Sequence, residues 1–125
     1  MRKVELMPWK VAVEMNKVLR PGGHAFIHTH QTAGLHDVPW DFMRFSQDCW
    51  PSMFNRFTGF EIVRTGMSGF TYTVPREFTP RHLGFETWGG FEGSTVIVKK
   101  TGSSEVDWPV PLETVLDTNY PDDPS

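Results

Sequence analysis

The sequence predicts an α/β protein: a small, mixed sheet of three to four strands carrying two main helices. Three observations point there. A helical pattern over residues 8–20 runs into a Pro-Gly-Gly break, and a strand-like run follows at once. A second apolar stripe at helical spacing starts near Ser46. Two further runs, residues 60–65 and 95–100, read as strands.

The first helix begins at Pro8, whose missing N–H is harmless in a first turn. Pro8, Val11, Ala12, Met15, Val18 and Leu19 share one face, and Lys10, Glu14 and Lys17 the other. Arg20-Pro21-Gly22-Gly23 stops it, because proline cannot continue the ladder and glycine accepts a left-handed exit. His24-Ala25-Phe26-Ile27-His28-Thr29-His30 is the strand, and residues 31–41 read as a loop. Ser46 is the expected cap of the second helix, with Trp50, Met53, Phe54 and Phe57 as its stripe and Pro51 in its first turn. Thr58-Gly59 ends it. Residues 60–65 form the next strand and residues 70–74 a short further one. Residues 75–93, with four glycines, read as a long connection before the last strand at 95–100. The domain is expected to span residues 1–104. Residues 105–125 form a Pro-rich tail, with Trp108, Val110, Leu112, Val115, Leu116 and Tyr120 available to dock it.

Composition narrows the function classes. Ten Phe and five Trp in 125 residues supply enough apolar area for a real core. The net charge is −3 and no basic stripe exists, which sets nucleic acid aside as a partner. Val11-Ala12-Val13 is interrupted by Glu14, so neither a signal peptide nor a membrane span is expected. The single cysteine, Cys49, has no partner for an internal disulfide, in keeping with a reducing cytoplasm.

Glu14-Met15-Asn16-Lys17-Val18-Leu19-Arg20-Pro21-Gly22-Gly23 resembles the E-x-x-R-V-L-K-P-G-G segment of class I S-adenosylmethionine-dependent methyltransferases, which leads into that family's fifth strand. The segment from His36 to Ser46, HDVPWDFMRFS, looks like a signature of one branch of the family found among sugar and cell-surface biosynthesis enzymes. Thr58-Gly59-Phe60-Glu61-Ile62-Val63 is similar to the sixth strand, and residues 95–100 to the antiparallel seventh. Val4-Glu5-Leu6 resembles the stretch after the fourth strand, with Leu6 where the family usually has His. The resemblance covers most of residues 4–100. It implies the carboxy-terminal half of a Rossmann-like methyltransferase domain, with fifth-, seventh- and sixth-strand equivalents lying in that order.

The family's donor site is not matched. It needs a glycine turn after the first strand, where the backbone approaches the cofactor, and an acidic residue for the ribose hydroxyls. Gly22-Gly23 precedes a strand, and Gly89-Gly90 lacks a strand-turn-helix setting. No cofactor-binding residue is therefore assigned, and no cofactor is expected on the chain alone. S-adenosylmethionine enters by resemblance only if another chain completes the site.

Two groups of residues are candidates for chemistry. His28 and His30 share a strand face with His24 and Phe26, and together with His36 form a His-x-His…His set of the kind that holds zinc with one position open. In the resembled fold the same residues border the substrate pocket, where they hydrogen-bond substrate or shape a loop. Asp37, Asp41 and Arg44 form the second group. Arg44 can grip an anionic or hydroxylated substrate with Asp41 orienting it, or the two can be a structural pair that fixes the loop to the second helix. Cys49 reads as a small core residue, since Asp48 disfavours a thiolate. Arg76, Arg81 and His82 read as solvated surface. No catalytic residue is assigned.

Three functions follow as expectations. The chain is a methyltransferase-like remnant or partner-binding, self-associating module, not catalytic alone. Or it is the carboxy-terminal subunit or fragment of a methyltransferase acting on a small molecule or sugar, completed by a chain with the first four strands. Or it is a metal-dependent enzyme built on the histidines. With the fourth strand missing, residues 24–30 fall at a sheet edge, with residues 95–100 in the middle. That edge predicts a homodimer or higher even oligomer, unless the tail folds back to cap it.

Overall fold

A computed structural model describes residues 7–35, 43–83, 89–111 and 114. Helix α1 spans Pro8–Val18, strand β1 His24–His30, the short helix α2 Trp50–Met53, strand β2 Phe60–Tyr72 and strand β3 Gly89–Lys100. The strands form one sheet in the order β1-β3-β2. β1 is at an edge and β3 in the middle, as expected. The sheet is not mixed, however. Both pairings are antiparallel, because β3 runs opposite to each neighbour.

Local chemistry explains the turns. Gly23 N–H donates to the Arg20 carbonyl at 2.8 Å, closing a turn with Pro21 second and Gly22, at φ 78°, third. Gly59, at φ 77°, ends a 3₁₀ turn over Arg56–Thr58 and starts β2.

The core lies on one sheet face. Ala12 of α1 packs with Phe45, Trp50, Met53, Phe54, Phe60, Val96 and Val98. Phe45 stacks on Trp50, and Phe54 meets Phe60 edge-on. The Trp50 indole N–H donates to Ser94 Oγ at 2.8 Å, so both buried polar groups are paired. Ala25 and Ile27 of β1 flank this layer. The opposite face carries Phe26, Phe70 and Tyr72, which remain 67%, 62% and 48% exposed, and no described element covers it.

Five expectations need correction. His82, read as solvated surface, is buried, and its Nδ1 accepts from Thr79 N–H at 2.9 Å. The second helix does not run from Ser46 to Phe57. It breaks into a 3₁₀ turn at Gln47–Cys49, α2, and the 3₁₀ turn at Arg56–Thr58. Asn55 divides the last two by accepting from Phe57 and Thr58 N–H groups, in competition with the helix. Ser46 caps nothing with its hydroxyl, and Phe57 is exposed. Residues 60–65 and 70–74 are not two strands: β2 runs through Phe60–Tyr72, with its irregularity between Ile62 and Arg64. β3 begins at Gly89, well before residue 95. The glycines of this stretch are needed inside the strand. A Cβ on Gly89 would meet the Phe70 ring, and one on Gly93 would sit 2.6 Å from His28 Cε1. Finally, α1 buries Val13 and Asn16 and leaves Val18 81% exposed, because the chain after β3 packs against a second side of the helix.

That chain carries neither helix nor strand over residues 101–111. Trp108 packs on Trp9 with ring centroids 6.2 Å apart, and its carbonyl accepts from Lys10 Nζ at 3.0 Å. Asn16 is buried at the junction. Its amide donates to the carbonyls of Thr58 at 2.9 Å and Gly102 at 2.8 Å, and its Oδ1 accepts from Ser104 N–H at 3.2 Å. Lys100 Nζ donates to the carbonyls of Asn16 at 2.6 Å and Leu19 at 2.9 Å, completing the exposed end of the helix ladder. Over these residues the tail follows α1 and does not cap β1. Leu112, Val115, Leu116 and Tyr120 lie outside the described residues. No described helix is long and apolar enough to cross a membrane.

Candidate functional site

β1 places His24, Phe26, His28 and His30 on one face, as the alternation predicts, and that face is the open one. His28 Nδ1 and Thr95 Oγ1 are 2.8 Å apart across the β1–β3 ladder, and the ring lies over Gly93. His30 is exposed on the same side. His36, Asp37 and Asp41 lie outside the described residues, so the proposed His28, His30, His36 set is placed only in its first two members. Among the described residues, no three His, Cys, Asp or Glu side chains are grouped to hold a metal ion.

Arg44 meets three described backbone carbonyls. Its guanidinium donates to the carbonyls of Met43 at 3.2 Å, Ala33 at 3.4 Å and Gly34 at 3.1 Å. It thereby ties the loop leaving β1 to the segment entering the Gln47–Cys49 turn. Phe45 N–H adds a bond to the His30 carbonyl at 2.9 Å, so this segment also closes one end of the β1 edge.

Cys49 is half-buried against the core, and burial pushes its thiol up, with Asp48 adding to the shift. A thiol raised in this way is a poor nucleophile at neutral pH. Lys17 is exposed, and its ammonium is raised chiefly by the 2.8 Å hydrogen bond to Glu14, with Asp107 of the tail 3.6 Å away.

Sequence reasoning did not anticipate a groove. It is a cavity of about 590 Å³ between α1 and the edge of β1, floored by Phe45, Trp50 and Phe54 and walled by Val11, Met15 and Ile27. None of its lining residues carries a carboxylate. The signal was present in Val11 and Met15, which belong to the predicted apolar face of α1. What the pattern did not reveal is that these side chains line an open groove with no further strand beneath them among the described residues.

The edge beside the groove has a definite hydrogen-bonding parity. Gln31 N–H donates inward to the Glu92 carbonyl, while the His30 carbonyl points outward to Phe45 N–H. Alternation along an antiparallel ladder then turns the N–H and C=O of Phe26 and His28 outward. Among the described residues nothing bonds to those groups. The site is therefore a row of outward backbone donors and acceptors next to an apolar trough. It can take up an extended chain and bury apolar side chains, and among the described residues it contains no paired acid and base for proton transfer. No protein-family model, no curated protein and no solved structure matches this chain.

Proposed function

We propose that the chain is the carboxy-terminal half of a class I methyltransferase-type domain without a donor site of its own, and that it serves as an association module. The observation that carries this reading is the outward backbone of Phe26 and His28 on β1, to which nothing bonds among the described residues, beside the apolar groove. The order β1-β3-β2 supports it, being the order of the fifth-, seventh- and sixth-strand equivalents. A sheet edge of this kind is a template for another strand. Methyl transfer depends on holding donor and acceptor together, and a chain without the donor half forfeits that proximity. Calorimetric titration with S-adenosylmethionine and its demethylated product tests the reading. No saturable heat is expected, and micromolar binding by the isolated chain overturns it.

The same edge favours a second reading. In the resembled fold the fourth strand lies beside the equivalent of β1, so a separate polypeptide bearing the first four strands would have a seat there. On that reading, mixing the two chains restores donor binding that neither shows alone.

A further inference from the structure

We infer that the edge of β1 is the seam of a homodimer, with two copies paired antiparallel in a register centred on Phe26. This deepens the association-module reading by naming the partner.

The edge itself selects the register. Its outward-facing residues are His24, Phe26, His28 and His30. The His30 carbonyl already accepts from Phe45 N–H at 2.9 Å, and at the other end Gly22 N–H donates to the Lys100 carbonyl at 2.8 Å. What remains is a window from His24 to His28 with Phe26 at its midpoint. A window symmetric about its own centre matches its own copy through a two-fold axis, with no donor or acceptor left over. In that register Phe26 pairs with Phe26 of the second copy and His24 with His28. Each such pair exchanges two backbone bonds, for a total of about six. Centring on His28 instead would oppose Phe26 to His30, whose carbonyl is taken. Centring on Ala25 would leave His28 facing Gly22, whose N–H is taken.

Side chains and area point the same way. Phe26 is 67% exposed on the open face, and the register stacks it against its equivalent. Stable interfaces bury about 800 Å² per partner, more than a short strand edge supplies. The apolar groove beside the edge adds to it. A strand laid along β1 closes its open side, and the Val11 and Met15 walls of the two copies face each other across the axis. The product is one continuous antiparallel sheet running β2-β3-β1-β1-β3-β2. The described part of the tail leaves this side clear, since it lies against Trp9 and Lys10.

Light scattering on the full chain at about 10 μM is the first test. Twice the chain mass is expected, and a strictly monomeric mass overturns the dimer. That failure is distinct from failure of the association-module reading, which is decided by the donor titration. Phe26→Pro is the second test. The Phe26 N–H points away from β3, so the substitution removes no bond of the monomer's ladder, and proline is tolerated on edge strands. It is expected to yield a folded monomer with an unchanged far-ultraviolet circular dichroism spectrum. A folded Phe26→Pro chain that stays dimeric overturns the proposed seam. A third measurement holds even if that variant fails to fold. Phe26→Cys in a Cys49→Ser background places two thiols at the axis, at the about 5.5 Å Cα separation of a hydrogen-bonded pair. Mild oxidation is expected to give a disulfide-linked dimer in high yield, while Thr65→Cys in the same background, on β2, gives none. Equal yields from the two variants overturn the register.

Discussion

The two ends of helix α1 border two regions that pose the same physical problem and solve it in opposite ways. Near the carboxy-terminal end, Asn16 and Lys100 gather the carbonyls that the helix and the turns leave over, and every donor there meets an acceptor. Near the amino-terminal end, beside Pro8 and Val11, β1 leaves outward N–H and C=O groups facing a trough. Backbone polar groups lose free energy when buried without partners, so a chain must either satisfy them or keep them open to water or another chain. Among the described residues the first region is therefore finished within the chain, and the second is left open. Substitutions in the first should act on folding, and those in the second on association.

The largest effect is expected at Gly59. Its φ of 77° disfavours any side chain, and a Cβ would strike the Gly102 carbonyl and the Asn16 amide. The conformational and steric penalties together put Gly59→Ala about 4 kcal/mol below the parent chain in urea unfolding. A loss under about 1 kcal/mol would show that the tail junction yields easily. Asn16→Ala comes next, at about 3 kcal/mol, because it strips partners from buried carbonyls at Thr58 and Gly102 and from Ser104 N–H. It should also raise proteolysis within residues 103–108, a readout that a generally looser core would not confine to that segment.

Trp108→Ala is expected to cost about 1 kcal/mol. The indole is partly exposed and its contact with Trp9 is a single tilted pair, whereas the Lys10 bond goes to the backbone carbonyl and survives. The smallest effect falls on the open face. His28→Ala and His30→Ala are expected to change folding stability by less than about 0.5 kcal/mol each, since both side chains are exposed and the Thr95 contact of His28 faces solvent. Neither is expected to alter the response of the melting temperature to added zinc. A zinc-dependent rise abolished by both substitutions would bring the metal-enzyme reading forward.

Much of the fold was legible in short stretches of chain, and some of the candidate site was not. The His-x-His pattern correctly put His28 and His30 on one face of a strand, because period-two alternation is a local property. Which face would be covered depends on where the helices lie, and they cover the Ala25 and Ile27 side. Arg44 reads from the sequence either as a substrate-gripping residue or as half of a pair with Asp41, which lies outside the described residues; the carbonyls of Ala33 and Gly34 that it meets carry no side-chain signature. The glycines at 89, 90 and 93 read as loop because glycine weakens an isolated strand. In the sheet the missing side chains of Gly89 and Gly93 make room for Phe70 and His28, which come from other strands.

What the sequence determined by itself was α1, the Pro21-Gly22 turn, β1 and the stop at Thr58-Gly59. Each depends on residues a few positions apart, through helical or strand periodicity and through φ preferences. Only the tertiary structure decided the fusion of β2, the early start of β3, the break-up of the second helix, the burial of Asn16 and the open edge beside the groove. Asn16 reaches Gly102 across 86 positions and Lys100 reaches back to Asn16 across 84. A polar residue on a helix looks solvated until the segment that covers it is in place. A strand edge looks like any other strand until its neighbours are counted, because the pairing of N–H and C=O groups is set by what lies alongside and not by the side chains they carry.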